Sequence, residues 1–486
     1  MTPKLHSSSL GQFEGQTDIG SVIRAGSCDY DGSQQAYTIR GAGANIWGDH
    51  DDFHFVWKRM NGNFIVTMRA TFVGSGANPH RKLGWMARAS LESAAPHASA
   101  AVHGDGLLAL QYRRALAAPT EETRISLSAA DVIQLERKEN TFIMSVAQYG
   151  EPFVSVQVSD LELGAELYVG LFVCSHQDDV VEQVTVRDTR IVVPVAQAFE
   201  RDRDPFGSHL ELLDVASGRR QIIYSADLIF EAPNWTRDGK SLIYNQDGRL
   251  YCFDLASGAA KLIDTGDVVR NNNDHVLSFD GNWLAISSHS ETEEHLSQVY
   301  VVPAQGGQPR LVTPSGPSYL HGWSADDRFL VYTGQRNGEY DIYRIPVEGG
   351  AETQLTSSIG LDDGPEYTPD GRYIYFNSVR SGRMQIWRMK PDGSNQEQLT
   401  DDEYNNWFPH VAPNGKSFVF ISYLVGEVDP GDHPPAKRVY LRSMPLDGGQ
   451  AKVLAYLYGG QGTMNVPSWS PDGKRLAFVS NTVPQR

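Results

Sequence analysis

Cysteine is scarce in this chain. The 486 residues hold three, Cys28, Cys174 and Cys252, far apart in sequence. So sparse and odd a set excludes a disulfide framework and a clustered zinc site, and reads as buried thiols. Long apolar runs are missing too; none approaches the roughly 20 residues that a spanning helix needs, so membrane insertion is not expected. The first ten residues, Met-Thr-Pro-Lys-Leu-His-Ser-Ser-Ser-Leu, hold no apolar core of a secretion signal. The expectation is a cytoplasmic protein, with the periplasm as the alternative if a leader has been removed. Positive charge is in short supply: 42 Lys and Arg face 59 Asp and Glu, a formal net charge of −17. Without a basic stripe, a nucleic-acid partner is excluded. No Gly-x-Ser-x-Gly elbow, P-loop or dinucleotide glycine motif stands in a strand–helix setting, which excludes a nucleotide or organic cofactor.

What is present is a repeat. Ser470-Pro471-Asp472-Gly473 reads as a tight turn between two short strands, with Pro presetting φ and Gly taking the left-handed corner. The unit recurs with its Asp or Asn at 238, 280, 326, 370, 414 and 472, so successive copies lie 42, 46, 44, 44 and 58 residues apart. A third, aromatic-rich strand follows each turn (Tyr340 to Ile345, for example). A Gly turn and a fourth strand come next, often closing on Leu-Thr or Val-Thr, as at Val312-Thr313, Leu355-Thr356 and Leu399-Thr400. Four-stranded repeats of about 40–50 residues are propeller blades. The last copy supplies two strands, and Leu210 to Asp214 with Arg220 to Ser225 supply the other two. The expectation is six blades closed by strands from both ends of the segment.

Pro467-Ser-Trp-Ser-Pro-Asp-Gly-Lys-Arg-Leu-Ala-Phe478 and Tyr340-Asp-Ile-Tyr-Arg-Ile-Pro-Val-Glu-Gly-Gly350 resemble the TolB-like, WD-repeat-like bacterial β-propellers. Such propellers occur in binding proteins, in peptidases and in oligosaccharide lyases, so the resemblance implies the fold more sharply than the activity. From Phe13 to about Pro194 the pattern changes to plain alternating strands, as at Phe64 to Phe72, and suggests a β-sandwich. Asp52-Phe-His-Phe-Val-Trp57, Lys82-Leu-Gly-Trp-Met-Ala-Arg88 and Tyr168-Val-Gly-Leu-Phe-Val-Cys-Ser-His176 resemble the concanavalin/laminin-G-like sandwiches, which implies carbohydrate or protein binding. The whole is therefore expected to be all-β. Residues 1–12 are a loose N-terminus, 13–195 a jelly-roll, concanavalin-like sandwich, 196–204 a charged connector, and 205–486 the propeller.

In the sandwich, Trp47, His50, Asp51, His80, Arg81, His103 and Asp105 could line a sugar site. The plainer reading, that Trp47, Trp57 and Trp85 pack the core and the charges are solvated, is preferred because large aromatics are usually core. In the propeller, aligning the copies on their turns stacks His275 and His321 in one column, and Glu366 and His410 in the next. Asn273, Asp274, Tyr319, Asp363, Asn405, Asn406, Trp407 and Asn465 lie just upstream. Pseudo-symmetry would converge them on the axis.

Three readings follow. In one, His275, His321, Glu366 and His410 ligate a divalent metal such as Mn, Zn, Fe, Ni or Ca, as imidazole plus carboxylate can. TolB-like oligosaccharide lyases imply similar chemistry, although their local motif is missing here. In another, Asp274, Asp363 and Glu366, with His410, act as acid and base on a glycosidic bond, while Asn273, Tyr319, Asn405, Asn406, Trp407 and Asn465 bind substrate. In the third, the channel is a polar funnel without catalysis. The expectation is a carbohydrate-active protein, a metal-assisted lyase or hydrolase at the channel mouth. The alternative is a non-catalytic TolB-like protein recognising a glycan or peptide.

Overall fold

The computed structural model describes residues 9–201, 203–290 and 296–485. Most of the expected loose N-terminus, residues 1–8, lies outside them. Residues 9–12 form turns, and the Gln12 N–H donates to the Tyr37 hydroxyl at 3.0 Å. The chain forms two units, one reaching to Pro194 and one spanning Val195–Pro484. Among the described residues there is no helix; the chain is all-β.

The first unit holds two seven-stranded sheets whose neighbouring strands run antiparallel. One orders its strands Gly15–Ile19, Phe53–Asn61, Glu166–Cys174, Lys82–Arg88, His97–His103, Leu108–Arg113 and Glu121–Arg124. The other is centred on Phe64–Phe72, between Val132–Lys138 and Gln177–Val192. The main apolar core takes Val56, Leu83, Trp85 and Leu171 from the first sheet, and Phe64, Val66, Leu135 and Val184 from the second. Alternation puts these residues on one face of each strand. Two parts of the sequence reading need correcting. Trp47 is exposed, so it is not core, and several charges are far from solvated. Arg113, fully buried, donates to both oxygens of buried Asp51 at 2.9 and 2.7 Å, and Arg81 is buried against Glu182 at 2.7 Å. Such ions survive burial only when paired and hydrogen-bonded.

The second unit is a six-bladed propeller. Five sheets have four strands each. The sixth pairs Gly207–Asp214 with both Arg219–Ala226 and Arg475–Thr482, and Trp469 bridges to Leu476 on its inner side. The repeated turn works as its residues dictate. In five copies a Ser or Thr hydroxyl two residues before the Asp donates to that carboxylate, as from Thr236 to Asp238 at 2.7 Å and Ser470 to Asp472 at 2.6 Å. The same carboxylate accepts the N–H two residues on. Gly239, Gly281, Gly371, Gly415 and Gly473 then sit at φ between 63 and 73°. Asp327 takes that place in the third copy at φ 57°, and its carboxylate accepts the Phe279 and Asp280 N–H groups of the preceding blade at 2.7 and 2.9 Å. The closing threonines are acceptors as well. Thr313, Thr356 and Thr400 Oγ1 take the Val299, Ile342 and Ile386 N–H groups at 2.9, 2.9 and 2.8 Å, where the short outer strand no longer supplies a carbonyl.

Candidate functional site

Every inner strand with a full ladder carries a bulge at one height. Register breaks fall between Glu231 and Asn234, Asn271 and His275, Leu320 and Gly322, Asp363 and Glu366, and Trp407 and His410. Ala232, Gly364 and Phe408, equivalent positions in three blades, take φ of 54, 61 and 55° there. A bulge re-aims the side chains beside it. The polar columns seen in the sequence therefore sit at the point where strand alternation is broken.

Their side chains separate into distinct groups. The central one is built from Asp274, His321 and Asp363, all buried. His321 Nε2 lies 3.2 Å from Asp363 Oδ1. The Thr333 hydroxyl and the Gly364 N–H donate to that same oxygen at 2.7 and 2.8 Å. Burial alone would raise the Asp363 carboxyl, but the hydrogen bond and charge of His321, helped by His433 and Thr333, hold it well below the usual carboxylate range. For Asp274, burial dominates; with the neighbouring Asp363 and Glu231 charges it pushes the carboxyl up to about 7, against the pull of His321. Burial would lower His321, yet the Asp363 hydrogen bond and the charges of Asp274 and Asp363 raise it. The surroundings thus push the two carboxyls in opposite directions and favour the cationic form of the His321 imidazole beside Asp363.

Tyr319 borders this group, pushed up to about 12 by burial and by Tyr340, Asp274 and Asp363. The His321 ring lies over Phe408, centroids 6.0 Å apart and planes 23° apart. His433, from the inserted loop 427–435, rests on Trp407 at 4.2 Å and on Phe408 at 5.5 Å, near enough for Asp363 and His321 to influence its charge. Arg201 pairs with Glu231 at 2.6 Å.

The four expected metal ligands do not gather. His275 is turned away, its Nε2 3.2 Å from the Ile243 carbonyl, and burial pushes its ring down to about 4. Glu366 clasps the next blade: Oε2 meets His410 Nδ1 at 2.6 Å, and Oε1 accepts the Val411 N–H at 3.0 Å. Asn234, at the same repeat position, accepts the equivalent Leu277 N–H at 3.3 Å, so this column stitches blades together. The second nitrogen of His410 is engaged by the Met464 carbonyl at 3.1 Å. The physical reason is the bulge beside each of them: it re-aims the neighbouring side chains, so residues one position apart, or equivalent in different blades, take different partners. Among the described residues, the one group of three or more His, Cys, Asp or Glu with all ligand atoms within 4.8 Å is His80, His103 and Asp105, in the first unit.

The expected substrate-binding residues divide likewise. Asn406 is saturated: its amide donates to Gln385, Thr400 and Asp402 and accepts from Ser422. Asn405 bonds the Met384 N–H and the Val428 carbonyl. Asn465 accepts the Gly462 N–H at 2.7 Å and donates to Gln461 at 3.2 Å. Trp407 is fully buried with its indole N–H unpartnered, and Asn273 is buried. Tyr319 alone of the six is partly exposed. Sequence reasoning left Glu231, Thr333, Tyr340 and Arg201 out of the site. Glu231 was visible in the aligned column, whereas Thr333 and Tyr340 come from second and third strands, for which the inner column gives no signal.

Comparison with known proteins now fits this frame. The family model described as the TolB beta propeller domain matches residues 321–431. An uncharacterised protein of Agrobacterium fabrum is 45% identical over 273 residues, covering 56% of this chain and 92% of that protein. The chain belongs to the TolB-like β-propeller family. A solved structure of a candidate TolB from Agrobacterium tumefaciens is 44% identical, with a TM-score of 0.55, covering 58% of this chain and 99% of that one. An oligogalacturonate lyase in complex with manganese is similar at 15% identity over 57% of this chain and 91% of its own, with a TM-score of 0.36. At that distance no residue role transfers from the lyase to this TolB-like propeller.

Proposed function

We propose that this is a carbohydrate-active protein whose propeller channel carries out acid–base chemistry on a glycan, with Asp274 as general acid, Asp363 as general base and His321 as the cation that positions and separates their charges. The observation that carries the reading is the buried polar group itself, His321 Nε2 3.2 Å from Asp363 Oδ1 with Asp274 buried at the same height, and it is supported by burial raising the Asp274 carboxyl while His321 holds Asp363 low. Two carboxyls driven apart by their surroundings are how a site runs both halves of a glycosidic cleavage near neutrality. So acidic a cluster favours neutral sugars over uronates. His433 and Tyr319 border the substrate, and Glu366 with His410 supports the blades. Among the described residues of the propeller, no three His, Cys, Asp or Glu bring their ligand atoms within 4.8 Å of one another, and no step is drawn through a metal. The first unit, as a concanavalin/laminin-G-like sandwich, would hold the glycan.

A second reading is favoured by burial. The side chains of His321 and Asp363 are only 5 and 10% exposed, which also suits a non-catalytic channel that recognises a glycan or peptide. Release of reducing ends from a panel of neutral polysaccharides, with the D274N and D363N variants in parallel, tests both. Turnover lost in either variant while the fold is retained supports acid–base catalysis. Glycan binding without turnover supports recognition, and turnover surviving both substitutions overturns the catalytic assignment.

A further inference from the structure

A second cluster lies in the first unit, outside the propeller and independent of its chemistry. His80 follows the loop after Phe64–Phe72. His103 ends the strand His97–His103, and Asp105 sits in the turn that leads to Leu108–Arg113. Backbone bonds zip the two segments together: Gly104 N–H to the Arg81 carbonyl at 2.9 Å, and Asp105 N–H to the Pro79 carbonyl at 2.8 Å. The Leu107 N–H fixes one Asp105 oxygen at 3.0 Å. The other faces His80 Nδ1 at 3.6 Å.

We propose that His80, His103 and Asp105 form a binding site for a divalent transition metal of the zinc class. One ligand atom from each lies within 4.8 Å of the other two. A tetrahedral ion with ligands at about 2.1 Å needs them about 3.4 Å apart, so rotation of a side chain closes the set. A separate observation points to the ligand. His103 is only 6% exposed, yet neither of its ring nitrogens has a hydrogen-bond partner. Buried polar nitrogens are rarely left so, and an ion takes up the lone pair. The His80 and His103 rings meet edge to face, centroids 6.3 Å apart.

His176 packs against His80 at 5.5 Å, its own Nδ1 buried and unpartnered, and could serve as a fourth ligand. Two imidazoles and one carboxylate are a borderline donor set, suited to Zn, Co or Ni more than to Ca or Mg. Of the neighbouring cations, Lys82 is tied back to Asn45 Oδ1 and the Ile46 carbonyl at 2.7 and 2.9 Å, and Arg81 to Glu182 at 2.7 Å. His80 and Asp105 are 55 and 36% exposed, so an ion can enter the site from solvent.

The test is titration of the metal-stripped full-length protein with Co(II), read by its visible absorption, and competition with Zn(II), for wild type, H80Q and D105N. Both substitutions are at the surface, and circular dichroism checks the fold. One equivalent bound by wild type, weakened about 100-fold or more by each substitution, is the expected result. No stoichiometric binding, or binding unchanged in H80Q and D105N, overturns the proposal. Either outcome leaves the propeller reading untouched, because polysaccharide turnover plays no part in the readout.

Discussion

Asp274→Asn should make the protein more stable at neutral and alkaline pH, although it removes a residue assigned to the site. Holding a carboxyl at about 7 that would ordinarily titrate at 3.8 means that ionising it in the fold costs up to about 4 kcal/mol. The sign follows from proton counting. Between pH 4 and 7 the folded protein keeps the Asp274 proton while the unfolded chain has lost it. The folded state binds more protons there, and stability falls as pH rises. Above pH 7 both states are ionised and the full cost is carried. An asparagine of the same shape carries none of it. The difference in unfolding free energy between D274N and wild type should therefore grow by up to about 4 kcal/mol from pH 4 to pH 8, then level off. The assay is urea denaturation of the full chain followed by tryptophan fluorescence, both proteins in the same buffers. A difference that does not change with pH, or one that shrinks as pH rises, would refute the buried-acid argument.

Asp363→Asn should act in the opposite sense. It leaves His321 without its charge partner, and loss of one member of a buried pair costs about 3–5 kcal/mol, seen as a lower urea midpoint at pH 7. Because the Asp363 carboxyl is held low, its own contribution is present above pH 4 and disappears in strong acid, so D363N and wild type should converge there. Thr356→Val removes the acceptor of the buried Ile342 N–H and should cost about 1–3 kcal/mol, read as a fall in melting temperature. Asp327→Ala keeps the left-handed backbone but loses the two bonds to Phe279 and Asp280. It should destabilise by about 1–3 kcal/mol, whereas Asp327→Gly, relieved of strain, should lose less.

The propeller was legible because its signal is local. The Asp-Gly turns satisfy backbone groups within a few residues and the closing threonines within their own blade, so spacing alone revealed the blades. The columns around the axis were legible as positions but not as directions. Which way His275 or Glu366 points depends on a bulge one or two residues upstream and on the neighbouring blade. Glu366 read as a free ligand, yet it repeats the blade-to-blade bond of Asn234 with a carboxylate in place of an amide. In the first unit, His80 and His103 stand 23 positions apart across two strands, and the antiparallel pairing that sets Lys82 opposite His103, extended by the backbone bonds of Gly104 and Asp105, brings them together. No periodicity in the sequence encodes that meeting.

The central claim is a buried imidazole whose proton is held by neighbouring carboxylate charge, Asp363 above all, and a pH titration of histidine-labelled protein by nitrogen NMR tests it most directly. The account predicts that His321 keeps its second ring proton to higher pH than an ordinary imidazole, and that it loses that proton at lower pH in D363N than in the wild type. A wild-type His321 that titrates below the ordinary imidazole range, or one unmoved by loss of Asp363, would contradict it.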